Sequence, residues 1–128
     1  MTVRVFAVVE DDPDARMVVR TLLSEDGRFS LTMEAASAEE ALRIVRALGI
    51  ARAEPPDLIV LDHNLDGPLT GLEAASLLKL EAPQAKIILF TGAEEIRDRA
   101  IEQDDVDAFV GKSRPDDLLP AARRVLGI

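Results

Sequence analysis

The chain has 128 residues, with 15 Lys plus Arg against 24 Asp plus Glu and a formal net charge of −9 at pH 7. That length suits one domain with its own core, and the acidic balance argues against nucleic acid as a partner, since nucleic-acid modules present a basic face. Cysteine is absent, no run is apolar enough to span a membrane, and MTVRVFAVVEDD ends in acid rather than in a signal-peptide pattern, so a cytoplasmic domain without membrane contact is expected.

An apolar run over 3–9 predicts the first strand, which stops at Glu10-Asp11. Asp12 before Pro13 is helix-start chemistry, an aspartate cap with proline at the first helical position. Ala15, Val18, Val19, Leu22 and Leu23 then keep the i, i+3, i+4, i+7, i+8 spacing of one buried helical face. A second strand is expected over 29–35. There Phe29, Leu31, Met33 and Ala35 alternate with Ser30, Thr32 and Glu34, so one face meets water, as on an edge strand. Ser37 and Glu40 have capping-box spacing, ahead of a helix that would bury Ala38, Ala41, Leu42, Val45 and Leu48. Glu54-Pro55-Pro56 ends it.

The third run, 57–61, is apolar on both faces and stops at Asp62; the fourth, 86–91, ends on Thr91. In the following AEEIRDRAIEQDD only Ile96, Ala100 and Ile101 can bury, so this helix should be thinly held. The fifth run, 106–111, leads into Lys112. Leu118, Ala121, Ala122, Val125 and Leu126 form the last helix, which should open at Asp117 as its cap because Pro120 would break anything longer.

Strands alternating with helices imply right-handed crossovers and a parallel sheet, a (βα)5 α/β fold of the flavodoxin-like, doubly wound kind. An edge second strand and apolar first, third and fourth strands fit the order 2-1-3-4-5. That order sets the ends of strands 1 and 3 side by side, at the switch point where ligands bind. Glu10, Asp11 and Asp62 would then crowd together, with Thr91 and Lys112 on the same rim. Carboxylates so close raise one another's pKa unless a cation neutralises them. Magnesium, which takes one or two carboxylates and keeps water or phosphate oxygens, is the natural solution. A hydroxyl and an ammonium beside it suit charge stabilisation in phosphoryl transfer.

With these residues in place, the whole span 3–127 resembles a response-regulator receiver domain of two-component signalling. VVEDDPDARMVVRTLL is similar to that family's first strand, acidic pair and first helix. LIVLDHNLDG resembles the phosphoacceptor segment, ILFTG the switch-hydroxyl segment and DAFVGKSRP the lysine segment. The resemblance implies Asp62 as phosphoacceptor, charged by a histidine kinase or histidine phosphotransfer protein. It also implies Mg2+ (or Mn2+) held by Asp11, Asp62 and the Asn64 backbone carbonyl, with Glu10 acting through water. Thr91 and Lys112 would hold the phosphate. Phe109 matches the aromatic switch position, although its apolar character suits a core residue equally. His63, a lone histidine beside the acceptor, reads as a rim residue.

Residues 1–128 are thus expected to form one receiver domain without an output domain, monomeric or weakly dimeric and not an enzyme. It would signal to a downstream protein through the face of helix 4, strand 5 and helix 5, or pass the phosphoryl group onward. The alternative is a pseudo-receiver, a scaffold that is never phosphorylated. An aspartate-nucleophile phosphatase would need a second Asp where Asn64 stands, and a flavin site would not be ringed with acid. Two departures from the family pattern stand out. Its proline and glycine, usually four and eight residues after the acceptor, here come later, at Pro68 and Gly71, which lengthens the loop. Ser113 stands where proline usually follows the lysine, so a trans peptide is expected there.

Overall fold

In the computed structural model, which describes residues 2–128, the apolar runs form β1 (Arg4–Val9), β2 (Phe29–Ala35), β3 (Leu58–Leu61), β4 (Lys86–Thr91) and β5 (Ala108–Gly111). Between them lie α1 (Pro13–Ser24), α2 (Ala38–Ile50), α3 (Gly71–Glu81), α4 (Arg97–Glu102) and α5 (Leu118–Leu126), the last two each led in by a 3-10 turn. All strand pairs are parallel, in the order β2-β1-β3-β4-β5 expected from the sequence.

Period-two alternation sorts the central strands onto two cores. Phe6, Val8, Leu58, Val60, Ile88 and Phe90 face α1 and α5, where Val19, Leu23, Leu118, Ala121 and Ala122 cover them. Ala7, Val9, Ile59, Leu61, Ile87 and Leu89 face α2, α3 and α4. Strands buried on both sides read as continuous apolar runs, which is why these three were visible in the sequence.

β2 departs from the single-sided pattern expected of it. The β1–β2 register slips between Phe6 and Ala7, with Phe6 opposite Leu31 and Ala7 opposite Met33, so Thr32 is an extra residue. One added residue flips every side chain beyond it. Phe29 and Leu31 therefore pack with the α1/α5 core, and Met33 and Ala35 with the opposite one.

The helix signals hold in most places. The Asp12 side chain accepts the Asp14 N–H at 2.9 Å, and the Ser37 hydroxyl caps α2 through Glu40 N–H at 3.1 Å. Glu40 reaches back to Ala36 N–H rather than to Ser37, so the reciprocal box is incomplete there. A complete capping box instead opens α3, between Thr70 and Glu73. Residue 118 starts α5 as expected, but Asp117 makes no capping bond; its carboxylate pairs with Arg114 at 3.5 Å. Pro120 falls in the first turn, where its missing N–H costs nothing. Two apolar residues placed in buried faces are exposed: Val18 at 42% and Ile101 at 60%. α4 therefore keeps only Ile96, from its lead-in turn, and Ala100 in the core. Among the described residues no peptide bond is cis, so Lys112–Ser113 is trans, and no helix is long and apolar enough to cross a membrane.

Candidate functional site

Parallel register carries four strand ends to one rim. Glu10 follows β1 and is fixed by its N–H to Ala35 O of β2 at 2.9 Å; Asp62 follows β3 and is fixed by its N–H to Val9 O at 3.0 Å. Lys112 follows β5, with its N–H on the Thr91 carbonyl of β4 at 3.0 Å. Backbone pairing alone thus delivers the side chains that the sequence scatters over a hundred positions.

One carboxylate oxygen from each of Glu10, Asp11 and Asp62 lies within 4.8 Å of the others. Glu10 and Asp62 are buried, at 4% and 6% exposure, and Asp11 is half-buried. The Lys112 ammonium bridges the two buried groups, donating to Asp62 Oδ2 at 2.9 Å and to Glu10 Oε1. Asp62 Oδ1 accepts the Asn64 N–H at 3.3 Å. Thr91 is fully buried, and its Oγ1 accepts the Ala93 N–H at 3.2 Å, which leaves its own proton free to donate. Phe109 sits on the other face of β5, half-buried against the α4-side core, with the Arg97 guanidinium 5.7 Å from its ring centre. It is part of the core and of a cation–π contact rather than of the carboxylate group.

The charge balance is strained in favour of a cation. Burial, then the adjoining Asp11 and Asp62 carboxylates, push Glu10 up to about 7, and the Lys112 and Asp12 hydrogen bonds offset this only in part. Burial pulls the Lys112 ammonium down, yet its Glu10 and Asp62 partners outweigh that and hold it above the ordinary lysine value. One ammonium against three carboxylates leaves negative charge uncompensated. The donor set is all oxygen and clustered, which fits a hard divalent ion such as Mg2+.

Two residues support the site from behind, of which the sequence singled out only Gly71. Arg16 donates from Nη1 to the Glu10 carbonyl oxygen at 2.7 Å and so fixes the acidic turn from inside α1. Gly71 begins α3 pressed on the turn after β3: its N–H bonds His63 O at 2.9 Å, and a Cβ there would overlap the Asp62 carbonyl and sit 2.6 Å from His63 Cα. A glycine arriving one place later than usual was the available signal. The lengthened loop before it, with Gly67 at φ 97°, is tied to α2 by the Leu69 N–H on Glu39 Oε1 at 3.2 Å.

A profile of the response regulator receiver domain matches residues 6–123. The chain belongs to that family. Among curated proteins this receiver is similar to the response regulator protein VraR of Staphylococcus aureus, at 29% identity over 97% of this chain and 56% of VraR. The chain spans about half the length of the curated relatives it matches. Among solved structures it resembles a LuxR-family two-component response regulator from Aurantimonas sp. SI85-9A1, with TM-score 0.83, 29% identity and coverage of 98% of this chain and 86% of that one. It also resembles the response regulator protein TrrA of Thermotoga maritima, solved in complex with Mg2+-BeF, with TM-score 0.79, 28% identity and coverage of 95% of this receiver and 98% of TrrA.

Proposed function

We propose that this receiver takes a phosphoryl group onto Asp62 from a histidine kinase or histidine phosphotransfer protein, using Mg2+ (or Mn2+). The observation that supports this best is the joint placement of a buried Asp62 against Glu10, Asp11 and the Lys112 ammonium. Asp11, Asp62 and the Asn64 backbone carbonyl would hold the ion, and Glu10 would support it from the second layer. When bound, the cation neutralises the carboxylates and offsets charge on the transferred oxygens.

Asp62 attacks phosphorus through a carboxylate oxygen, the phosphorus–nitrogen bond of the donor phosphohistidine breaks, and the freed imidazole nitrogen takes a proton from solvent. Lys112 already contacts Asp62 and balances the dianion as it forms. The Thr91 hydroxyl, with its proton unspent, donates to a phosphoryl oxygen. Met17 and Val18, exposed on α1, together with a groove that joins Val18 and Ala15 to Phe90 and Lys112, give the donor an apolar approach. The added charge of about −1.5 to −2 draws Thr91 and Lys112 inward and biases the 91–114 region between two arrangements. The face formed by α4, β5 and α5 then engages a downstream protein or the group moves onward. No small-molecule turnover is part of this role.

Intact-mass spectrometry after incubation with acetyl phosphate and Mg2+ tests the reading. Wild-type protein should gain one phosphate, lost on omitting Mg2+ and in Asp62→Asn. No gain in wild type would make the chain a phosphorylation-independent scaffold instead.

A further inference from the structure

One buried titratable side chain, His63, has no part in the chemistry above, and its surroundings give it another role. It is only 9% exposed and follows the acceptor directly in the chain. Its Nδ1 accepts the Leu72 N–H at 3.4 Å, and its backbone oxygen accepts the Gly71 N–H at 2.9 Å. These are the first two amides of α3, groups that no intrahelical carbonyl can satisfy. The other two free amides are spent within the capping box, Glu73 N–H on Thr70 Oγ1 at 3.3 Å and Thr70 N–H on Glu73 Oε1 at 3.0 Å. Half of the free amides of the α3 N-terminus therefore fasten on the residue beside Asp62. The tie continues beyond: the Leu72 carbonyl accepts Gln103 Nε2 at 2.9 Å, and the same amide nitrogen donates to Ser76 Oγ at 3.2 Å. Gln103 closes the C-terminal end of α4, with its N–H on Arg99 O.

We propose that His63 is a positioning residue of phosphoryl transfer: through Nδ1 and its own carbonyl it locks the turn that carries Asp62 onto the first turn of α3, and so holds the acceptor carboxylate in its reactive orientation. Asp62 is otherwise held by its backbone pairing to β1 and by contacts to its carboxylate from Asn64 and Lys112. Asn64 is exposed, and Lys112 itself leans on two acids. Rigid support for the turn must come from the helix packed behind it, and Gly71 lets that helix approach to backbone contact. An apolar residue at 63 would fill the same volume but leave the Leu72 amide without an acceptor. Asparagine would keep one, since its Oδ1 lies where an imidazole Nδ1 does.

The inference rests on Asp62 as phosphoacceptor, and the experiment separates the two. Wild type, His63→Leu and His63→Asn are incubated with acetyl phosphate at saturating Mg2+. Initial rates are read by intact mass per folded molecule, with Mg2+ affinity measured alongside. His63→Leu should react roughly tenfold more slowly, the scale of loss that slight misplacement of a reacting group produces. Its Mg2+ affinity should stay within about twofold, and His63→Asn should recover most of the rate. If the leucine variant does not fold, His63→Met supplies the same comparison. Equal rates in wild type and the apolar variant, or an equal loss in His63→Asn, would overturn the positioning role while leaving Asp62 as acceptor. Absence of a gain in wild type, or a gain that survives in Asp62→Asn, would instead overturn the acceptor reading and this inference with it.

Discussion

Glu10 carries the largest electrostatic consequence of the site. Its folded-state pKa, about 7, stands above the roughly 4.3 of an unfolded glutamate. The folded form therefore binds more protons between those values, and stability falls as pH rises through them. The contribution is fully present below about pH 4.3 and is lost once pH passes about 7. A divalent ion competes with the same proton, so Mg2+ affinity should climb as pH goes from about 6 to 8. Calorimetric titrations across that range check this; Glu10→Gln should flatten the pH dependence, and an equally steep dependence in that variant would place the responsible proton elsewhere. Gly71 gives a second residue-scale expectation. Alanine there collides with the Asp62 carbonyl, which is backbone and cannot swing aside, so Gly71→Ala should cost about 1–3 kcal/mol in urea unfolding, as overpacking does. Glu10, Asp11, Asp62, Thr91 and Lys112 were legible because each follows an apolar run. His63 and Arg16 were not, because their partners are backbone atoms in turns whose shape no residue pattern encodes.

Among the elements, α4 is held least firmly. It has six residues, is led in by a 3-10 turn without a side-chain cap, and buries Ala100 alone from its own span. α2, by contrast, is thirteen residues long and buries Ala38, Ala41, Leu42 and Val45. Hydrogen exchange should open Arg97–Glu102 at a lower free energy than Ala38–Ile50, since local stability follows buried apolar contact; comparable protection of the two would contradict this ranking. The sequence showed this thinness, yet it counted Ile101 as buried when the short helix turns it outward. β2 was legible as a strand and an edge, while its bulge was not. A bulge leaves the alternation of residue types untouched and changes only which face each side chain meets.

At the scale of the molecule, a parallel sheet with its order reversing between β1 and β3 explains why one rim gathers the chemistry. The opposite end is closed by structural carboxylates. Asp26, held well below the usual carboxylate range by Arg28 and further by Arg123, pins the α1–β2 turn to α5. Asp107 joins Lys79 of α3 to the start of β4 at 2.9 and 2.8 Å. The chain's acidity is therefore distributed in two ways: paired with basic residues at one end, and gathered as three carboxylates around a single ammonium at the other. Fold and rim followed from short apolar runs and their boundaries, whereas the supports behind the rim depended on loop geometry. Trapping with borohydride, which reduces an aspartyl phosphate to homoserine, tests the central claim most directly. After acetyl phosphate and Mg2+, peptide mapping should find homoserine at position 62 alone; homoserine at Asp11 or elsewhere, or none anywhere, would contradict it.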